Sequence, residues 1–173
     1  KSYLRYHIAD AYASSLPKRF ADASFAFRST VLSGVKEQLP RSQRCTAAAD
    51  GSLRDVLGKA YVARTFSPAA KARALALVDN LQGVLHDDIA TLDWMSAPTK
   101  KYAQTKLGAF TKKIGYPDKW VDFSALSVTD GPYANNVMAV RRFEVARNIA
   151  RLGKPTDRGL FGMTPPTVNA YYN

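Results

Sequence analysis

The sequence has little of the chemistry from which many active sites are built. It contains one cysteine, Cys45, and two histidines, His7 and His86. A single cysteine excludes a disulfide within the chain and a cysteine-based zinc site, and we expect Cys45 to be a small buried residue. The H-E-x-x-H and G-x-S-x-G motifs are absent, as is a glycine-rich phosphate-binding loop. The sequence therefore carries no catalytic motif of these kinds.

Long apolar runs are also missing, since none approaches the roughly 20 residues that a membrane-spanning helix needs. Hydrophobic residues make up 46% of the chain and charged residues 23%, which excludes a disordered tail. Contact with a membrane surface stays open. The sequence begins at Lys1, within a stretch that is already amphipathic and helix-like. We therefore expect an internal segment of a longer protein.

The charge is strongly unbalanced, because the chain has 25 Lys and Arg residues and only 14 Asp and Glu residues. A net charge of +11 is typical of proteins that bind nucleic acid or an acidic partner. The basic residues nevertheless occur as short pairs, such as Lys100-Lys101 and Arg141-Arg142, and no base-stacking motif accompanies them. We therefore predict solvated helix faces and no nucleic-acid binding.

Helical periodicity dominates the first two thirds of the chain. Ser67-Pro68 and Ser96-Ala97-Pro98 are strong helix starts, because serine caps exposed amides and proline suits the first helical turn. Residues 41–51 are polar and predict a loop, and residues 115–132 predict an irregular connection. Helical spacing returns at Tyr133 and ends before Gly153.

The last residues change in character. Two prolines, Pro165 and Pro166, precede a short β-type run over residues 167–172. Because proline cannot donate to a sheet ladder, the pattern predicts an edge strand that begins just after a turn.

Two clusters contain potential metal ligands. His86, Asp87 and Asp88 are consecutive, so on a helix they point about 100° apart and cannot converge on one ion without partners from elsewhere. His7 and Asp10 share a helix face, but two ligands seldom hold a metal. We predict no metal site and no catalytic residue in either cluster.

Three distinctive blocks follow one another along nearly the whole chain. The first comprises Arg44-Cys45, Leu57-Gly58-Lys59-Ala60-Tyr61-Val62 and Phe66. The second comprises Leu92-Asp93-Trp94-Met95-Ser96, Thr99-Lys100, Ala103, Lys106-Leu107 and Lys113-Ile114-Gly115-Tyr116-Pro117-Asp118. The third is Val168-Asn169-Ala170-Tyr171-Tyr172. In this order they resemble the neprilysin and endothelin-converting-enzyme family of zinc metallopeptidases.

The resemblance implies a mainly α chain. Residues 1–130 would form part of a helical cap domain over a thermolysin-like α+β catalytic domain. Residues 131–173 would supply a crossover helix and the first substrate-binding strand of that catalytic domain. The resemblance also implies a parent metalloendopeptidase that is periplasmic, secreted or membrane-anchored.

The resemblance assigns substrate binding to Asn169, Ala170, Tyr171 and Tyr172. An edge strand exposes backbone N–H and C=O groups that bind an extended peptide regardless of its side chains. In the family, the asparagine side chain holds the peptide backbone, and the small alanine allows close approach. The expected partners are therefore peptide substrates and the remainder of the catalytic domain.

The chain departs from the family where chemistry would begin. Relatives place H-E-x-x-H and a glutamate ligand after the third block, so zinc is implied for the full-length parent and not for this segment. We therefore predict that the segment alone is inactive. Phe161 stands where relatives often carry tryptophan, and Cys45 stands where animal members have a disulfide cysteine. The alternative function is a non-catalytic basic helical interaction module, followed by a helical nucleic-acid binder.

Overall fold

The computed structural model describes residues 1–172, most of which are helical, as predicted. The α-helices are α1 Ser2–Tyr12, α2 Lys18–Ser24, α3 Arg41–Ser52, α4 Arg54–Thr65, α5 Pro68–Thr91, α6 Ala97–Gly108 and α7 Tyr133–Ile149. A 3-10 helix, Ala13–Ser15, follows α1, and a π-helix, Phe25–Val31, follows α2. None of these described helices is both long enough and apolar enough to cross a membrane.

The two strongest helix starts are confirmed. The Ser67 side chain accepts a hydrogen bond from Ala70 N at 3.2 Å at the start of α5. At the start of α6, Ser96 accepts from Thr99 N at 3.4 Å. In both helices proline occupies the first or second position, where its missing N–H leaves no donor unpaired.

The loop predicted for residues 41–51 is wrong, because this stretch lies within helix α3. The stretch has no apolar stripe, and the absence of that stripe led to the prediction of a loop. Pro40 lies at the N-cap, and the alanines from Ala47 to Ala49 favour the helix on backbone grounds alone. Propensity and the proline at the start therefore form a helix that amphipathicity does not reveal.

The edge strand predicted for residues 167–172 is not seen as a strand, and no strand is assigned anywhere in residues 1–172. A strand is defined by a hydrogen-bonded neighbour, and the described part of the chain supplies none to this segment. The strand therefore stays a prediction.

The chain divides into two compact units. The first consists of residues 1–54 with residues 122–155. In this unit Arg141 Nη2 donates to Ala11 O at 3.1 Å, and its guanidinium lies 4.3 Å from the Tyr12 ring centroid. The stacked rings of Phe123 and Phe143, 4.9 Å apart, bring the connection before α7 onto that helix.

The second unit consists of residues 55–121 with the described residues from 156 onward. Helices α5 and α6 run antiparallel here, since Gln82 Nε2 donates to Leu107 O at 2.6 Å while Lys100 Nζ donates to Ala90 O at 2.9 Å. Ile89 and Leu107 are buried, which places the apolar centre of the unit along this helix pair.

Much apolar surface remains open. Only Ala13, Ile89 and Leu107 are buried hydrophobic residues among the described part of the chain, and the accessible surface is 13333 Å². Two separate compact proteins of half this mass would together expose about 10,000 Å². On α5 an exposed apolar stripe lies at helical spacing: Leu77, Leu81, Val84 and Leu85. A helix with a second apolar face is typical of one that packs on both sides.

Candidate functional site

The residues assigned to substrate binding form an exposed segment at the end of the second unit. Asn169 and Ala170 are exposed, Val168 is fully open to solvent, and Tyr172 is 70% exposed. The backbone carbonyl groups at these exposed positions are available to pair with another extended chain.

A tight turn fixes the start of this segment. Thr167 N donates to Thr164 O at 3.0 Å, and the hydroxyl oxygens of the same two threonines lie 3.0 Å apart. This proline turn, residues 164–167, packs closely on α4. A Cβ added to Gly58 would lie only 3.0 Å from Pro165 Cδ and 3.1 Å from Trp120 Cζ3. A glycine on α4 therefore allows the proline turn to approach closely.

Tyrosine contacts fix the other end. The Tyr171 hydroxyl accepts a hydrogen bond from Gly162 N at 2.7 Å. The Tyr172 ring lies 5.6 Å from the Phe110 ring, and Lys106 Nζ lies 5.6 Å from the Tyr172 centroid. Both tyrosines are therefore held by side-chain contacts within this unit, and Asn169 and Ala170 lie between the two fixed ends.

The Asn169 side chain is oriented by the backbone amide of the next residue. Its Oδ1 accepts a hydrogen bond from Ala170 N at 2.8 Å. The amide nitrogen Nδ2 is then the end of the side chain that can donate to a ligand carbonyl. This arrangement is suited to holding a peptide carbonyl.

An aromatic cluster lies beneath the proline turn. Tyr116 and Trp120 stack with centroids 6.0 Å apart, and Phe66 meets Tyr116 edge-on at 5.9 Å. Lys71 Nζ lies 4.4 Å from the Tyr116 centroid and donates to Tyr116 O and to Asp118 Oδ1, each at 2.7 Å. The Gly115-Tyr116-Pro117 stretch, predicted to lie in an irregular connection, therefore also builds the support for the site.

A small cavity of about 170 Å³ opens beside this cluster. Its lining is mostly apolar and comprises Tyr61, Val62, Thr65, Phe66, Gly115 and Pro165. The cavity carries no charged group among these residues, so it contributes packing space and no proton transfer.

The two histidines lie on different helices, His7 on α1 and His86 on α5. His86 Nδ1 lies 3.3 Å from Asp87 Oδ1, and both side chains are exposed. His7 packs against the rings of Tyr3 and Tyr6. Within residues 1–172 no group of three or more histidine, cysteine, aspartate or glutamate side chains could hold a metal.

Asp10 is engaged away from His7. Its carboxylate accepts from Arg28 Nε at 3.2 Å and pairs with Arg28 Nη2. This hydrogen bond, with the charge of Asp10, raises the pKa of the Arg28 guanidinium.

Cys45 is exposed on α3, so the expectation that it is buried is wrong. Helix α3 has no apolar stripe to pack against the rest of the unit, and none of its residues is buried.

A family model described as "Peptidase family M13" matches residues 1–117, about two thirds of the chain. The chain belongs to this family of peptidases. The resemblance to neprilysin and endothelin-converting enzyme inferred from the three sequence blocks is thereby confirmed.

Curated relatives agree with this assignment. Endothelin-converting enzyme 1 of Homo sapiens is 29% identical over 179 residues, covering 99% of this chain and 23% of its own length. Membrane metallo-endopeptidase-like 1 of Mus musculus is 26% identical over 182 residues, covering 100% of this chain and 24% of its own length. The chain thus spans about a quarter of the length of these relatives.

Solved structures show the same fold. The Mycobacterium tuberculosis zinc metalloprotease Zmp1 in complex with inhibitor matches with a TM-score of 0.87 and 38% identity, over 98% of this chain and 25% of that one. The open state of the same protease matches with a TM-score of 0.83 over 98% of this chain and 26% of that one.

Proposed function

We propose that this chain is part of a zinc-dependent metalloendopeptidase and that it binds the peptide backbone without performing the hydrolysis. Residues 1–130 belong to a helical cap, and residues 131–173 cross over and open a thermolysin-like catalytic domain. Family membership supports this assignment, as do the matched structures of a zinc metalloprotease.

The observation that carries the proposal is the exposed backbone at Asn169 and Ala170 between two fixed ends. The turn at Thr164–Thr167 holds one end, and the Tyr171 and Tyr172 side chains hold the other. An extended peptide that pairs with this edge completes the strand that the isolated segment lacks. Such pairing uses main-chain hydrogen bonds, so it suits an endopeptidase that accepts many sequences.

The four site residues have different parts in this proposal. Asn169 donates from Nδ2 to a peptide carbonyl, because its Oδ1 already accepts from Ala170 N. Ala170 allows close approach because its side chain is one methyl group. Tyr171 and Tyr172 complete the segment and hold it in place.

The zinc ion of such an enzyme does not fit the residues in hand. The described chain offers no group of three converging ligands, and its two histidines lie on α1 and α5 among exposed side chains. We therefore assign zinc to the remainder of the parent and assign no step of hydrolysis to this chain. We also expect the parent to act outside the cytoplasm, as a periplasmic, secreted or membrane-anchored protein.

The remainder of the protein is the expected cover for the exposed apolar faces. The chain exposes about 3,000 Å² more than two compact halves would. Helix α5, with Leu77 and Leu81 exposed beside a face already packed on α6, is one site for this packing.

The test is peptide cleavage by the whole protein that contains these residues. Loss of one backbone-directed hydrogen bond in Asn169→Ala should raise KM about tenfold with little change in kcat. Asn169→Asp keeps an acceptor for Ala170 N but loses the donor, so it should behave like Asn169→Ala. The control is Asn135→Ala, on the exposed side of α7, which should match the wild type. Unchanged kinetics in both Asn169 variants would contradict the proposal.

A further inference from the structure

We infer that Tyr171 is a positioning residue, which fixes Asn169 from behind and does not itself contact the peptide. This inference rests on the proposed function, because it concerns a residue that orients the peptide-binding segment, residues 168–172. The hydrogen bond from Gly162 N to the Tyr171 hydroxyl carries it.

The hydroxyl and ring of Tyr171 are engaged within the chain. The oxygen lies 2.7 Å from Gly162 N. A Cβ added to Gly162 would lie 3.2 Å from that oxygen, 3.3 Å from Cζ and 3.7 Å from Cε2. Glycine at position 162 therefore lets the phenol lie directly against the backbone. This contact uses the phenol oxygen as an acceptor and holds the hydroxyl against the chain's own backbone.

The contact closes a loop that contains the proline turn. Gly162 and Tyr171 are nine residues apart, and Pro165 and Pro166 lie between them. Because the Tyr171 side chain ties the two ends of this loop together, it limits how far Asn169, two residues earlier, can shift.

A lysine ties the same loop to the region after α6. Lys113 Nζ donates to Leu160 O at 2.8 Å, and it lies 5.9 Å from the Tyr171 ring centroid. The backbone at Leu160–Gly162 is thus held by Lys113 on one side and supports Tyr171 on the other. The region after α6 therefore restrains the peptide-binding segment through this backbone.

Small displacements at such a segment have large effects. A binding constellation works only when its members are held within about 0.5 Å of the productive geometry. Removing the Tyr171 hydroxyl leaves Gly162 N without its partner and leaves the end of the segment less restrained. Asn169 Nδ2 then spends less time in the geometry that donates to a peptide carbonyl.

The experiment combines two substitutions in the whole protein and follows cleavage of a peptide substrate. Tyr171→Phe keeps the ring and removes only the hydroxyl, and it should raise KM about fivefold with kcat within about twofold of wild type. In an Asn169→Ala background the same change should have less than half of that effect on KM, because Tyr171 acts through Asn169. Tyr133→Phe, on α7 in the other unit, is the matched control and should leave KM unchanged.

A second variant guards against a merely unstable protein. Gly162→Ala places a methyl group against the Tyr171 hydroxyl, so it should raise KM as Tyr171→Phe does. The melting temperature of Tyr171→Phe should stay close to that of the wild type.

The outcomes separate the two proposals. An equal or larger effect of Tyr171→Phe in the Asn169→Ala background would overturn the positioning role, because it would indicate direct contact with the peptide. If Asn169→Ala raises KM and Tyr171→Phe does not, the inference fails and the proposed function stands. If neither changes KM, both fail.

Discussion

Gly115 lies against the edge of the Phe66 ring, so closely that a Cβ at position 115 would be 2.5 Å from Phe66 Cε1. The backbone at Gly115 has φ +72°, which is in the left-handed region. Phe66 in turn meets the Tyr116 ring edge-on. Two independent requirements, backbone conformation and space, therefore call for glycine at this position in the support of the site.

Replacing this glycine tests the packing of that support. Gly115→Ala should lower the free energy of unfolding by about 3 kcal/mol, since it adds left-handed strain and a clash with Phe66. Gly153→Ala is the matched control, because Gly153 has φ +71° and a Cβ there would meet no described heavy atom within 4 Å. It should cost only the strain, about 1 kcal/mol. Urea denaturation measures both, and equal losses would contradict the close contact.

The seating of the proline turn on α4 gives a second prediction. Gly58→Ala places a methyl group 3.0 Å from Pro165 Cδ, so it should destabilise the protein by about 2 kcal/mol. Gly83→Ala, within α5 and facing open space among the described atoms, should instead stabilise by about 1 kcal/mol. Thermal melting should separate the two helix glycines in opposite directions, and stabilisation by Gly58→Ala would show that the turn does not pack there.

The start of α4 is tied to the connection after the aromatic cluster. Asp55 Oδ2 accepts a hydrogen bond from Val121 N at 2.6 Å. Asp55→Ala leaves this partly buried N–H without its partner and should cost about 2 kcal/mol. Asp55→Asn keeps an acceptor oxygen and should cost less than half as much. Urea denaturation measures the free energy of unfolding of both variants. Equal losses in the two would show that the hydrogen bond from Val121 N is not what stabilises the protein at this position.

How much of this structure could be predicted depends on how local its causes are. The starts of α5 and α6 follow from a serine and a proline within three residues, and both were predicted. Helix α3 was missed because alanine propensity, not amphipathic spacing, forms it.

The site shows the same division. The resemblance in sequence points to Asn169 and Ala170, but nothing in the sequence pairs Gly162 with Tyr171 nine residues later. Lys113 and Leu160 are 47 residues apart, and such a contact depends on tertiary packing that periodicity does not encode.

The separation of substrate binding from zinc chemistry can be tested on the 173-residue chain. It should hold no stoichiometric zinc and show no chelator-sensitive peptidase activity, because its described residues offer no converging ligand set. Zinc analysis by mass spectrometry and a fluorogenic peptide assay measure these two properties. One bound zinc per chain together with chelator-sensitive cleavage would contradict the assignment of catalysis to the remainder of the parent.

The most direct measurement of backbone binding is a double-mutant cycle between Asn169 and the peptide, in the whole protein that contains these residues. Peptide inhibitors are prepared in which one backbone amide at a time is replaced by an ester, whose carbonyl is a weaker acceptor. At one position the ester should weaken inhibition of the wild type but not of Asn169→Ala, with a coupling energy of about 1 kcal/mol. Equal losses in both proteins at every position would contradict a hydrogen bond from Asn169 to the peptide backbone.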